Sequence, residues 1–585
     1  MIAVFTSILT LTRLRRFRWV YCQIEALRRC FPARIQHTLD ELPLTLDGTY
    51  EETLRRIDKQ TWDYAHRLFQ CLVVSERPLR VGELAELFAI QTSAETIPTF
   101  DSTLRPEDPE KSILSACSTL VAVVNVDGEN IVQFSHFSVR EYLTSDRIAD
   151  STYVSRFHIH PQPAHVFLTR ACLGVLLQLD DRVDRDNIQN FPLASYAAQY
   201  WVDHAPFENV PSDIRDGMEC LFDKNKPHFA AWLWLYNIDD PFDILMATSH
   251  PARPETVPLY YAALCGFRAT AERLIDTHPQ DVNARGGQLV TPLHAALEKG
   301  HLTIAALLVE RGASANLQDD SGWTALHLTL LHGHNDIIQS LLDHGADTNL
   351  PDNFGWTALL HASREGHNDI VQLLLDHDAD INHPDDCGWT PLHHASRKGH
   401  IDTVRLLLNH GTANHPDNRG RTPLLHASLR GHNDTIQLLL DHGADANHSD
   451  NCGWTPLHHV LQEGHINIAR LLLDGGAGAN HPDNCGCTPL HLASRDGHSD
   501  IVQLLLDHSA DMNHPDNCGW TPLHHASRAG HNDTVQLLLD HGAIANHRDN
   551  RGYTPLRHAS LWGHDDIVQL LLDQDAVPNH LDNRG

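Results

Sequence analysis

Residues 514–527 read HPDNCGWTPLHHAS. Three histidines, a cysteine, an aspartate and a serine stand within this one stretch. Imidazole, thiolate and carboxylate are the donors of zinc sites. A serine or cysteine beside a histidine is the raw material of nucleophilic catalysis. Zinc requires its donors at about 2.0–2.3 Å, and a nucleophile requires its base within hydrogen-bond reach. The elements that carry these side chains decide whether they can meet.

The stretch is one copy of many. Its threonine recurs at Thr291, Thr324, Thr357, Thr390, Thr422, Thr455, Thr488, Thr521 and Thr554, in steps of 33 residues except for 32 between Thr390 and Thr422. A weaker unit precedes them at PLYYAALCGF from Pro258, so about ten units run from 256 onward. Each unit has the same plan. TPLHHASRAGH predicts a short helix with threonine at the N-cap, proline at the first position and glycine closing the end. HNDTVQLLLDHGA predicts a second helix, with Val535, Leu538 and Leu539 as its buried stripe. Neither helix is long enough to be stable alone, so each must be covered by the next unit.

The period, TPLH, the glycine–histidine pair, the LLL run and GADxN together resemble the ankyrin repeat. The resemblance implies an α-solenoid of antiparallel helix pairs with β-hairpin loops, whose concave side binds other proteins. It also implies that the TPLH histidine is structural, its ring hydrogen-bonded near the threonine. That histidine stands at His294, His327, His393, His458, His491 and His524, but is Leu360, Leu425 and Arg557 in other units. A catalytic or ligating residue would not be replaced so freely. A second ladder, His383, His415, His448, His481, His514, His547 and His580, falls at the loops. Packed helices lie about 8–10 Å apart, too far for neighbouring rungs to share zinc. The same spacing keeps Cys387, Cys452, Cys485 and Cys518 from pairing, since a disulfide needs Cα atoms within about 7 Å. Cys485 and Cys487 share one tip and offer at most an adventitious soft-metal contact. No catalytic residue, cofactor or metal is expected.

What varies between copies is more informative. The loop tips hold Trp323, Phe354, Trp356, Trp389, Trp454, Trp520 and Tyr553, and the ends of the first helices hold Arg364, Arg397, Arg495, Arg528 and Trp562. In the ankyrin family these positions face the partner, and Trp, Tyr and Arg dominate interaction hot spots. These twelve residues are the expected partner-binding set. The competing expectation is that the tryptophans only pack between hairpins.

The first 255 residues differ. LPLTLDGTYEETL leads into an amphipathic helix, and WDYAHRLFQCLVVSERPLRVGELAELFAI predicts two helices around a turn at Pro78. Two β-type runs flank Asp127-Gly128, a hairpin signal, with a helix after them. That order predicts a winged-helix-like α/β segment. Asp101, Glu107, Asp108 and Glu110 stand nearby with no basic run in the wing, and the whole chain carries a net charge of −31. Nucleic-acid binding requires a basic face, so DNA is not the expected partner. FRWVYCQIEALRRC, LPLTLDGTYEETL, RPLRVGELAELFAI, FSHFSVREYL and PLASYAAQYWVDHA resemble the C-terminal side of fungal NACHT–ankyrin proteins, relatives of NOD-like receptors. There a nucleotide-binding switch precedes a winged helix and a repeat sensor. The family's P-loop, G-x-x-x-x-G-K-[ST], is absent, and no Gly-Lys pair occurs. The backbone cradle for phosphates is therefore missing.

The expected organisation is 1–39 as the end of a NACHT-like domain, 40–150 winged-helix-like, 151–255 a helical linker and 256–585 the repeats. The class is mostly α. Twelve scattered cysteines show no disulfide framework, which points to a reducing compartment. No apolar run approaches the ~20 residues of a membrane span, and the charges of MIAVFTSILTLTRLRRFRW follow its apolar stretch, the wrong order for a secretory signal. A cytoplasmic chain is expected, with the nucleus as an additional compartment. LLL at 570–572 has no following unit in the sequence, so the last unit is expected to fray.

Overall fold

The computed structural model describes residues 45–93, 96–117, 119–205, 210–239, 251 and 254–578. The NACHT-like stretch 1–39 and His580 lie outside them. The chain divides into two compact units, Met1–Gly312 and Ala313–Gly585.

In the first unit, Thr45 caps α1 (Leu46–Arg55) by accepting the Gly48 N–H at 3.1 Å. Helix α2 (Trp62–Val74) buries Leu68, Phe69 and Leu72 along one face. β1 (Leu79–Arg80) then leads into α3 (Val81–Leu87). Glu83 opens α3 with its carboxylate, which accepts the Arg80 N–H at 2.8 Å and both ends of the Arg77 guanidinium at 2.6 and 2.8 Å. After α3 comes a small hairpin beyond the elements expected from the sequence, β2 (Ile90–Ser93) and β3 (Thr96–Phe100). Helix α4 (Pro109–Cys117) precedes β4 (Val121–Val126) and β5 (Glu129–Phe134), and α5 (Phe137–Leu143) follows.

The sheet order is β1-β5-β4, antiparallel, with Val121 opposite Phe134 and Val126 opposite Glu129. Asp127 and Gly128 turn the hairpin at φ 52° and 90°, the left-handed pair a tight two-residue turn requires. Helices, a hairpin and a closing helix around Leu68, Leu79, Leu84, Val132 and Val139 form the expected winged-helix arrangement.

Helix α6 (Asp146–Ala149) leads to α7 (Pro161–Leu176), which is buried nearly all round. It packs on α8 (Ala194–His204) and α9 (Ser212–Leu221), with α10 (Pro227–Leu235) beyond. Arg170 of α7 holds the buried Asp213 of α9 through two bonds of 2.6 and 3.0 Å. Trp201 meets Trp232 edge-on at 5.4 Å and stacks on Phe267 at 5.1 Å. Two helix pairs of the repeat type close this unit, Pro258–Cys265 with Arg268–Thr277 and Pro292–Glu298 with Leu302–Glu310.

The second unit stacks eight such pairs, from Ala325–His332 to Asp565–Asp573. The pair at 391–410 shows how each forms. Thr390 caps the first helix, Pro391 fills its first position, and Gly399 ends it at φ 79°. Val404, Leu407 and Leu408 are the buried stripe of the second helix. The asparagine of GADxN staples successive pairs. Asn349 Nδ2 donates to Asp378 O at 3.1 Å, and its Oδ1 accepts the Asp380 N–H at 2.6 Å.

The 32-residue step is absorbed at the end of Ile401–His410. That helix runs one residue longer than most of its counterparts and passes straight into an extended Gly411. Other units place a left-handed residue there, such as Gly443 at φ 81°. In the last unit Asp565–Asp573 is helical, with Ile567 and Leu571 buried and Leu572 exposed; the expected fraying concerns a unit whose end, from residue 579, lies outside the described residues.

Candidate functional site

Each loop is organised by one aspartate. Asp385 Oδ1 accepts the N–H groups of Cys387 and Trp389, both at 2.9 Å. Its Oδ2 accepts His394 Nε2 at 3.0 Å. The same carboxylate–imidazole bond joins Asp417 to His426 at 3.0 Å, Asp450 to His459 at 2.9 Å, Asp516 to His525 at 3.1 Å and Asp549 to His558 at 3.2 Å. Asp352 and His361 stand farther apart, at 3.7 Å. Burial alone would raise the Asp417 carboxyl, but the His426 bond and the N–H groups of Arg421 and Arg419 outweigh it and hold it at about 2. These histidines are functional-site residues not anticipated from the sequence. Their signal was present, as a loop aspartate followed nine residues later by histidine.

The TPLH histidine is satisfied at both nitrogens. His393 Nδ1 accepts the Thr390 N–H at 3.0 Å, so the ring proton sits on Nε2 and points at Arg421 O, 3.0 Å away in the next pair. His327, His491 and His524 make the same bridge to Trp356 O, Trp520 O and Tyr553 O. The contact near threonine is as the resemblance implied; the bridge to the next pair is an addition. Burial depresses these rings, to about 3 for His393 and His524 and about 4 for His458 and His491. Bonded, buried and neutral, they have no lone pair free for a metal or a substrate.

The tryptophans lie between the histidines of successive pairs. The Trp356 ring is 4.9 Å from His361 and 4.4 Å from His394. Trp389 is 5.1 Å from His394 and 4.4 Å from His426. Trp520 is 5.0 Å from His525 and 4.5 Å from His558. Arginines cover their outer faces: Arg364 lies 5.2 Å over Trp356, and Arg397 4.9 Å over Trp389. Arg528 lies 5.2 Å from both Trp520 and Trp562, while Arg557 sits 4.1 Å over Tyr553.

The twelve expected residues therefore fall into separate groups. Trp356, Arg364, Trp389 and Arg397 line one groove of ≈ 750 Å³, together with Lys398, Arg430 and the Asp385–His394 pair. Trp520, Arg528 and Trp562 form a second cluster with Tyr553 adjacent, and Trp562 is exposed. Phe354 is exposed at its loop tip and Trp323 is half-buried. Trp454 gives its indole N–H to Asp483 at 3.2 Å. Arg495 is engaged by Asp496 at 3.0 and 3.1 Å.

The groove is basic in an acidic chain. Arg364 has Glu365 at 3.5 Å. Arg397, Lys398 and Arg430 hold no carboxylate partner among the described residues. Burial, followed by repulsion from Arg430 and Arg364, lowers the Arg397 guanidinium from its usual range. A planar aromatic floor under unpaired guanidinium groups suits carboxylates, which arginine binds with two parallel bonds. Elsewhere, the spacing argument against metals holds only for like positions. Cys487, Asp516 and His525, which are unlike positions of adjoining units, bring one donor atom each within 4.8 Å of the others.

Comparison with known proteins agrees with this architecture. Residues 53–158 match the family described as GPI inositol-deacylase, winged helix domain. Residues 228–319, 293–385, 379–450, 442–516 and 508–582 match the family of ankyrin repeats in three copies. Azaphilone pigments biosynthesis cluster protein L of Monascus ruber is 32% identical over 48% of this chain and 63% of its own length, so the chain spans less than two thirds of that relative. Alpha-latrocrustotoxin-Lt1a of Latrodectus tredecimguttatus is 36% identical over 11% of this chain and 4% of its own. The repeat match runs through more than half of the chain, over the same helix pairs and loops described above, and the chain belongs to the ankyrin-repeat family.

Proposed function

We propose that this chain is a non-enzymatic protein-interaction module that captures an acidic, partly apolar segment of a protein partner. The groove of Trp356, Trp389, Arg364, Arg397, Lys398 and Arg430 is the site, on the concave side that the ankyrin family uses. The observation that carries the proposal is a groove floored by Trp356 and Trp389 and lined by four cations, of which Arg397, Lys398 and Arg430 hold no carboxylate among the described residues, within a chain of net charge −31. The Trp520–Arg528–Trp562 cluster is a second contact.

A winged helix followed by ankyrin repeats supports placing the chain in a NOD-like-receptor type of signalling protein, as its sensor region. The helical stretch 151–255 would pass partner capture to the winged-helix segment 40–150. The second reading is a general ankyrin scaffold or adaptor with no nucleotide switch. In both readings the chain works in the cytoplasm and also in the nucleus. An upstream exon encoding a P-loop at the same locus supports the receptor; a locus without one supports the adaptor.

The binding proposal is tested by capturing partners with the full chain and with an Arg397→Glu/Arg430→Glu variant. Arg430 is exposed and Arg397 is half-buried at the end of its helix, outside the apolar core, so the helical circular-dichroism signal should be unchanged. Loss of the captured protein is the expected result. The same protein held equally by both would overturn the assignment of the groove.

A further inference from the structure

Eight loops of the second unit follow one plan, and a single side chain changes the chemistry of one of them. The position two residues after the loop-tip residue holds Trp323, Trp356, Trp389, Arg421, Trp454, Trp520 or Tyr553, but Cys487 in the remaining unit. In three units this side chain reaches the aspartate of the next loop, as Arg421 Nε does at 3.7 Å from Asp450 Oδ2. Trp454 Nε1 reaches Asp483 Oδ2 at 3.2 Å, and Cys487 Sγ reaches Asp516 Oδ2 at 3.9 Å in the same way. Asp516 is already bonded to His525 Nε2 at 3.1 Å. Elsewhere the aspartate–imidazole pair is closed over by an aromatic ring or an arginine. Here it meets a thiol.

We propose that Cys487, Asp516 and His525 form a zinc site between two adjoining repeats, with water in the fourth position. One thiolate, one carboxylate and one imidazole, with their donor atoms within 4.8 Å of one another, match the donor types and count of an open zinc site. The repeat fixes the donors. Asp516 Oδ1 is held by the N–H groups of Cys518 and Trp520, both at 2.8 Å, which leaves Oδ2 for the metal. Asp483 holds the Cys487 N–H at 2.8 Å and adds a second negative charge nearby. Arg495, the cation beside the thiol, is engaged by Asp496. On binding, the thiol proton of Cys487 leaves to solvent. His525 Nε2 exchanges its bond to Asp516 for one to zinc, with its ring proton on Nδ1.

The test uses the full chain, stripped with chelator and titrated with Co²⁺ as a spectroscopic stand-in, then with Zn²⁺ in competition. The expected result is one cobalt per chain, with a sulfur-to-cobalt charge-transfer band that Zn²⁺ abolishes. Cys487→Trp installs the residue that sibling loops carry and should remove the band completely while the helical signal stays. Cys487→Ser serves if that variant does not fold. Cys485→Ser, at the exposed neighbouring cysteine, should leave the band and stoichiometry unchanged. No saturable band overturns the proposal. So does a band that survives Cys487 replacement, or one that falls with Cys485→Ser, because either would mark adventitious binding at exposed thiols.

Discussion

His393 shows how the same side chain can be reactive in composition and inert in place. It accepts from Thr390 and donates to Arg421 O, and burial holds it at about 3. Its unfolded value is about 6.5. The folded value is the lower one, so the unfolded chain binds a proton that the folded chain refuses. The stability is whole above about pH 6.5 and falls as the pH drops toward 3, by about 1.4 kcal/mol per pH unit for this one group. His393→Leu puts in the residue that Leu360 and Leu425 already supply at equivalent positions. The variant should unfold at lower urea at pH 7, because Arg421 O loses its donor. It should then lose less between pH 7 and pH 5 than the parent. An equal loss would show that this ring does not resist protonation. At the same scale, Arg170→Met leaves Asp213 buried without its partner and should cost about 3–5 kcal/mol in urea unfolding. A cost under 1 kcal/mol would show that the pair is solvated.

The elements were legible wherever periodicity spoke. Threonine–proline starts, the LLL stripe and the glycine stops marked the helix pairs. Asp127-Gly128 marked the wing. The β2–β3 hairpin was hidden because IQTS and TIPTF are short, and the proline in the second argues against a strand. The site was less legible, since its groups are assembled across repeats. Trp356 meets His394 only when two units stack, and the Asp–His pairs join a loop to a helix nine residues on. Loop ends offer a test. Ser509 stands at φ 60° where Gly443 and Gly542 serve in sibling units. A left-handed non-glycine residue costs roughly 1–2 kcal/mol. Ser509→Gly should raise stability by about 1 kcal/mol in urea unfolding, and a decrease would mean that the serine side chain holds the turn.

For the molecule as a whole, charge is the argument. The second helices carry their aspartates outward, and the chain totals −31, yet the Trp356–Arg430 groove collects four cations. If the groove is the proposed site, an acidic partner would be repelled by much of the surface and attracted there, which would give specificity through exclusion as well as attraction. Added salt should weaken capture, because exposed charges are screened within about 8–10 Å. Binding that is indifferent to salt would point to the exposed Trp562 cluster instead. The most direct measurement of the central claim is selection of random peptides on the full chain, followed by affinities of the winners for the parent and for Arg397→Glu/Arg430→Glu. Acidic winners that bind the variant at least tenfold more weakly are the predicted result; winners with no excess of acid, bound equally by both, would contradict it.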